Sequence, residues 1–336
     1  MIYISYSEAV ATMERGLTRF MPAEQAHHFS EIFAGNSADG VHSHGMNRYP
    51  RYIGDMQSGL CDAGVYEAER ISGFGGLEVW DAHFGVGPLI AEQITRRAIE
   101  LAKTHGVACI ALRNNSHWLR AGRYGLMMAD AGMMGICMTN TCMNLVAYGA
   151  KEPSTGNNPI TFALPRRAGS LVMDMAVSQY AFGKMEIMAQ EGKMLDTECG
   201  YDVDGKTTND PREIVKSGLM MPMALWKGSA LSIVIDLMVS ALSLGRTSHE
   251  MGTPADGEKG MSQMFICINP AAVGDMDAVD AKIEETVAFL GGLEAREGSS
   301  GVHAPGENLA RIRAKHMEQG IPVTEATWEK ILASCR

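Results

Sequence analysis

At 336 residues, with 46 % hydrophobic side chains, the chain is long enough for two domains and apolar enough for a large core. Its formal charge of -10 and pI of about 5.5 argue against nucleic acid or an anionic membrane as a partner, because either needs a basic face. The seven cysteines are odd in number and contain no CxxC pair, so neither a disulfide framework nor a zinc knuckle is implied; reduced thiols in a cytoplasmic protein are the simpler reading.

Met1 to Phe20 lacks a basic start followed by a long apolar stretch and does not read as a signal peptide. Residues 5–36 show helical spacing, with Ser5 or Ser7 as a first cap and Pro22-Ala23-Glu24 as a second start. The Tyr49-Pro50 step is expected to end one element and open the next, since a residue before proline avoids the helical region. The glycine-rich stretch Asp62 to Gly76 sets a boundary near residue 73. Pro88 to His105 predicts an amphipathic helix with Leu89, Ile94, Ala98, Ile99 and Leu101 near one face, stopped by Gly106. Val107 to Leu112 reads as a buried strand, Tyr124 to Ala131 as a helix and Met133 to Thr139 as another buried strand. That alternation means an α/β domain. The methionines of 127–143 read as core.

Further strands are predicted at Pro159 to Leu164, Leu171 to Met175 and Met264 to Ile268. Ala230 to Leu244 reads as a buried helix; Lys227 and Asp236 interrupt the apolar run and argue against a membrane span. Asp275 to Gly291 and Gly306 to Gln319 read as amphipathic helices. The expected division is a helical domain from 1–72 with 276–336, around an α/β domain at 73–275.

Ser43-His44-Gly45-Met46-Asn47-Arg48-Tyr49-Pro50 is the stretch richest in chemistry. Imidazole titrates near neutral pH and can give or take a proton. Guanidinium keeps its charge and forks onto a carboxylate. Together they suit a small acid with a carbonyl or hydroxyl beside its carboxylate. The same pair would also serve as a satisfied core histidine beside a surface ion site. A second histidine, His117, follows a strand end, where ligands of α/β sheets collect, and could equally be a packing residue. His42-Ser43-His44 has no HExxH or third ligand at helical spacing, so no metal is expected. Neither Gly73-Phe74-Gly75-Gly76 nor Gly85-Val86-Gly87 completes a GxGxxG fingerprint, and no phosphate-binding P-loop is present. Lys227 heads an apolar helix, where its charge opposes the helix dipole unless an anion compensates. Gly156-Asn157-Asn158-Pro159 looks like a polar turn. Asp174 could accept ribose hydroxyls or cap a helix.

In this order the blocks resemble the malate/L-lactate dehydrogenase family of NAD(P)-dependent oxidoreductases that lack a Rossmann fold. The carrying segments are Ser43-His44-Gly45 with Arg48, Asn114 to Trp118, Gly149-Ala150-Lys151, Asn158-Pro159, Asp174-Met175-Ala176 and Lys227-Gly228. The nearest branch reduces a diketo sugar acid. The resemblance implies a mixed, partly antiparallel sheet with helices on both faces, a second domain from the helical ends, and a homodimer with the site near the subunit interface. It implies His44 as proton donor, with Arg48 and His117 lining the pocket and His117 the rival acid/base. Ser43, Asn158 and Lys184 join Arg48 on the substrate side. The dinucleotide, NAD with NADP as the alternative, is expected on Ser170, Leu171, Val172, Met173, Asp174, Met175 and Ala176, with Trp226, Lys227, Gly306, Glu307 and Asn308. The sequence departs from the pattern at Asn157, at Ala224 and along Met143 to Tyr148. Lys184 after Gly183 matches the malate and lactate branch. A sugar-derived 2-oxo acid is the expected substrate. Malate, lactate, ureidoglycolate or a cyclic imine are the alternatives.

Overall fold

The computed structural model describes residues 1–336 apart from the side chain of Gln190. β1 (Ile2–Ile4) leads into α1 (Tyr6–Leu17), whose first turn is capped by the Ser5 side chain accepting from the Glu8 amide. α2 (Ala23–Ala38) starts after Pro22. Two single 3-10 turns, His42–His44 and Met46–Arg48, then carry the chain into α3 (Tyr49–Gln57). Tyr49 is helical, with φ -54° and ψ -49°, although Pro50 follows it. Its buried ring stands edge-on to Phe33 and its hydroxyl donates to the Met13 carbonyl at 2.9 Å. That burial outweighs the local preference. Phe29, Phe33, Tyr49 and Tyr52 form the aromatic centre of this helical layer.

The central sheet begins with the hairpin β2 (Glu69–Phe74) and β3 (Leu77–Asp81), so β2 runs through residue 73, where a boundary was expected. α4 (Gly87–His105) has Pro88 in its first turn and stops at Gly106, whose φ of +80° suits glycine. β4 (Val107–Asn115), α5 (Ala121–Asp130), β5 (Met134–Thr139), β6 (Ile160–Leu164) and β7 (Leu171–Met175) follow. Next come α6 (Phe182–Gln190) and a small sheet of β8 (Gly200–Tyr201), β9 (Thr207–Thr208) and β10 (Leu219–Met220), with α7 (Pro211–Ser217) against it. α8 (Trp226–Ser243), α9 (Ser248–Met251) and β11 (Met261–Ile268) return the chain to the main sheet. α10 (Met276–Gly291), α11 (Leu309–Gln319), β12 (Ile321–Val323) and α12 (Glu325–Ser334) end it. β12 pairs antiparallel with β1 and joins both ends of the sequence in the helical layer.

The main sheet runs β2-β3-β4-β11-β5-β6-β7. It is mixed: β3 and β4 are parallel across the α4 crossover, and the other neighbours are antiparallel. Its central strands are apolar on both faces, as double coverage demands. Ile110, Leu112, Cys137 and Phe265 face α4 and α5, beside Ile94, Tyr124 and Met128. Met138, Met264 and Ile160 face the other way, onto Ile235 and Val239 of α8. Helices therefore cover both faces, as expected.

Two expectations need correction. α8 is not a buried helix: Ala230, Ile233, Val234, Leu237, Met238 and Ala241 form an exposed stripe along it. Its inner face carries Ser229, Ser232, Ser240 and Ser243, all buried. Small serines let α8 approach the sheet, and the bulky aliphatics are left outside. α10, grouped by sequence with the helical ends, is tied to the sheet: Arg166, just after β6, makes a two-point ion pair with Glu284 at 2.6 and 3.0 Å.

Candidate active site

Close packing fixes the segment that carries His44 and Arg48. A Cβ on Gly45 would run into Ser37 Oγ of α2, so only glycine lets the chain pass there. The Asn36 amide donates to the His44 carbonyl at 2.9 Å, and the Ser37 hydroxyl accepts from the Met46 amide at 2.8 Å. His117 is fixed from the sheet side. Asn114 has a φ of +55°, and its side-chain amide is held by Asp81 at 3.0 and 3.1 Å. Buried Ser116 bonds the Gly85 carbonyl, the Gly87 amide and the Tyr52 hydroxyl.

The two imidazoles meet between these layers. Their centroids are 5.7 Å apart and their planes 17° from parallel. His44 Nδ1 lies 3.0 Å from Ser43 Oγ. His117 Nδ1 accepts the Leu119 amide at 3.1 Å, which assigns the proton of the neutral ring to Nε2. Arg48 donates through Nη2 to Glu258 at 3.1 Å, and its Nε is buried without a partner among the described residues.

Electrostatics change the reading of His44. Burial first, then Arg48 and Arg120, pulls its pKa down to about 4. Burial, Arg48 and His44 hold His117 well below its ordinary value. Both rings are therefore neutral near pH 7 in the ligand-free protein. An imidazolium at His44 would need bound negative charge to offset the two guanidiniums.

The remaining candidates divide. The first turn of α6 packs over Ser43: a Cβ on Gly183 would stand 2.8 Å from Ser43 Cβ. Lys184 is exposed beside it, with its ammonium 4.5 Å from the Tyr180 ring centre. Asn158 is fully buried. It accepts from the Thr141 amide at 2.9 Å and donates to Ser232 carbonyl and hydroxyl oxygens at 2.9 and 3.1 Å. Its amide ties the turn to α8.

The dinucleotide candidates lie along one strip. Gly306, with φ +84°, presses on Val172, where a Cβ would meet backbone nitrogen at 3.0 Å, and the Val172 amide donates to the Pro305 carbonyl at 3.1 Å. Beyond β7, Met223 donates to the Val177 carbonyl at 2.9 Å, and the chain enters α8 through left-handed Ala224 and Leu225. Exposed Trp226 and Lys227 thus flank the far end of the strip from Glu307 and Asn308. An open indole, an ammonium at the N-terminus of a long helix and a close glycine passage fit a flat, anionic group. Both carboxylate oxygens of Asp174 already have partners in the protein. Its oxygens accept from the Gly122 amide at 2.8 Å, in the first turn of α5, and from Thr161 Oγ1 at 2.9 Å.

Sequence reasoning missed Glu258 and Arg120. Arg120 is buried, pairs with Asp39 at 2.5 Å and stands 3.8 Å from Asp174. It lies three residues after His117, just beyond the Asn114 to Trp118 segment, so a local signal was within reach. Glu258 joins Arg48 from 210 residues away, and no local spacing marks it.

Residues 4–332 match the malate/L-lactate dehydrogenase family. The 2,3-diketo-L-gulonate reductase of Escherichia fergusonii is 36 % identical over 333 residues, covering 98 % of this chain and 99 % of the relative. That of Citrobacter koseri is 37 % identical over 319 residues, covering 94 % and 95 %. A putative malate/lactate dehydrogenase from E. coli has the same fold, with a TM-score of 0.92 at 24 % identity over 100 % of this chain and 95 % of that one. The delta1-piperideine-2-carboxylate reductase from Pseudomonas syringae pathovar tomato gives 0.88 at 29 % identity, over 99 % and 100 %. Full-length coverage and a shared mixed α/β fold carry one conclusion: the chain belongs to the malate/L-lactate dehydrogenase family and is a pyridine-nucleotide-dependent oxidoreductase.

Proposed function

We propose that the chain reduces the keto group of a sugar-derived 2-oxo acid with NADH, and that 2,3-diketo-L-gulonate is the substrate. The carrying observation is the stacked pair His44 and His117 lying within the field of half-buried Arg48. The similarity to diketogulonate reductases over nearly the whole chain supports the substrate class.

Reduced nicotinamide, when bound, supplies hydride to the keto carbon. Arg48 takes the substrate carboxylate on its free donors and turns the carbonyl toward the histidines, an orientation effect. The bound carboxylate offsets the positive charge around His44, so the ring takes up a proton as the substrate enters. Ser43 holds Nδ1, which leaves Nε2–H to protonate the carbonyl oxygen as negative charge develops there. His117, with Nε2–H available, shares the pocket and is the rival donor. The product is the 2-hydroxy acid.

A second reading within the family keeps this chemistry and changes the substrate to malate, lactate, ureidoglycolate or a cyclic imine. Lys184 beside Ser43 and the likeness to a piperideine carboxylate reductase favour it. NAD is the proposed cofactor and NADP the alternative. The free thiols suit a cytoplasmic location. The exposed stripe of α8 suits a second copy of the chain, in a homodimer whose interface starts near Trp226. The site lies between the helical layer built from both chain ends and the α/β centre, with β2 and α10 on the α/β side.

The test is loss of NADH absorbance with 2,3-diketo-L-gulonate, pyruvate, oxaloacetate and delta1-piperideine-2-carboxylate, each repeated with NADPH. Selective turnover of diketogulonate supports the first reading. Turnover of another acid moves the chain to the second. No turnover with any of them overturns both.

A further inference from the structure

Arg48 receives its carboxylate from a loop far away in sequence. Its Nη2 donates to Glu258 Oε2 at 3.1 Å, while Arg51 Nη2 reaches the same oxygen at 3.4 Å. The Cys142 thiol donates to Oε1 at 3.5 Å. Glu258 is only 12 % exposed in its side chain. Its loop, 252–260, is braced at both ends. Asp256 accepts from the Thr253 amide and hydroxyl at 2.8 and 2.9 Å, and Lys259 Nζ donates to the Gly59 carbonyl at 2.8 Å. Glu258 thus spans from the sheet side of the cleft to α3 and is itself immobilised.

A guanidinium has five N–H donors in one rigid plane, so fixing one of them together with the side-chain stem fixes where the others aim. Glu258 takes Nη2, yet Nε stays buried with no partner among the described residues. A buried charged donor left without an acceptor is unfavourable, so it marks a group kept for something else. We propose that Glu258 is a positioning residue for the reaction: it sets the plane of Arg48 so that the unpartnered donors meet the substrate carboxylate. Glu258 does not touch the substrate. The inference rests on Arg48 as the carboxylate anchor.

Two effects of Glu258 oppose each other. Its bond orients Arg48, which favours substrate binding; its negative charge repels an anionic substrate. Three donors already surround that charge, so orientation wins. Glu258→Ala removes both effects, whereas Glu258→Gln keeps an acceptor and removes the charge. The KM for the 2-oxo acid is expected to rise about tenfold or more in Glu258→Ala, the loss of one charge-assisted hydrogen bond. Turnover should stay within about threefold. Glu258→Gln should bring KM back toward the wild-type value. The uncharged 2-oxo amide should show no change in KM, which a general loosening of the fold could not produce. NADH binding measured by fluorescence checks folding. If Glu258→Ala fails that check, Glu258→Asp replaces it, with the same rise in KM expected from withdrawing the carboxylate by one methylene. Unchanged KM in the folded variant overturns the inference, as does a fall in both variants or an equal effect on acid and amide. An inactive wild-type protein overturns the functional reading instead.

Discussion

The ring of His44 lies almost flat against that of His117, with 5.7 Å between centroids and 17° between planes. Either neutral imidazole can take up an added proton, but the two rings resist doing so together: a charge on His44 disfavours one on His117, and Arg48 disfavours both. One added proton is therefore the expected load of the pair when an anion is bound, and the ring that takes it is the donor.

His44 is the proposed donor, because Ser43 fixes its Nδ1 and α6 closes over that side. His44→Ala should lower kcat by roughly two to four orders of magnitude. Steady-state NADH oxidation measures it. If His44→Ala keeps near-normal turnover while His117→Ala is dead, the two roles are reversed.

Arg48 acts mainly through binding. Arg48→Ala should raise the KM of the 2-oxo acid by roughly 10- to 100-fold and change kcat less, because it removes charge-assisted bonds made in both the ground and transition states. The comparison is a full saturation curve for each protein. A variant with unaltered KM would remove Arg48 from the anchor role.

The pH dependence has opposite sign in the two directions. Reduction needs protonated His44, and the free protein holds this ring at about 4, so kcat/KM for reduction should fall as pH rises above that value. Oxidation of the 2-hydroxy acid needs the neutral ring, so its kcat/KM should stay level at neutral pH and drop only toward about 4. Bound anion raises the pKa, so the limb seen in kcat for reduction should lie at higher pH than that in kcat/KM. A kcat/KM for reduction that is level from pH 6 to 9 would count against His44 as the acid. The same depressed pKa destabilises the fold in acid: the contribution of neutral His44 is complete above 6.5 and is lost as pH falls through about 4. His44→Gln should flatten the fall in melting temperature across that window.

The exposed stripe of α8 gives a further test. Leu237 is 55 % exposed in one chain, far from both histidines in sequence. Leu237→Asp should convert a dimer into monomers by sedimentation, because an unpaired charge cannot be buried between two such stripes. A wild-type chain that sediments as a monomer at micromolar concentration would end the homodimer proposal.

Gly306 tests the cofactor strip. Gly306→Ala adds a Cβ against the Val172 backbone at a φ of +84°, where side chains are strained by about 1–2 kcal/mol. NADH affinity should weaken more than tenfold while substrate KM, extrapolated to saturating NADH, changes little. Equal loss on both sides would assign Gly306 to folding alone.

Much of this was legible in the sequence where a signal is local. Val107 to Leu112 of β4 and Met134 to Met138 of β5 are uninterrupted apolar runs, and Pro88 with Gly106 brackets α4. His44 and Arg48 are four residues apart in one short segment, so their chemistry could be read together. Signals that depend on distant partners were not legible. α8 is apolar nearly all round, and periodicity cannot say that its serines face the sheet. Asp174 sits at a strand position where dinucleotide sites have an acid, but its use is decided by Gly122 and Thr161, which fold against it. Asn158 looked like a binding residue, and only the arrival of Ser232 from α8 shows that its amide is already engaged. Glu258 has no motif at all.

The place of β11 carries a consequence for biosynthesis. It lies between β4 and β5, yet it is made more than a hundred residues after β5. While the ribosome extends the chain from 139 to 268, the two strands that will flank it have open hydrogen-bonding edges and no partner between them. The nascent protein must shelter that gap until its central strand arrives, so a chain halted before residue 268 exposes two sticky edges to its neighbours on the polysome.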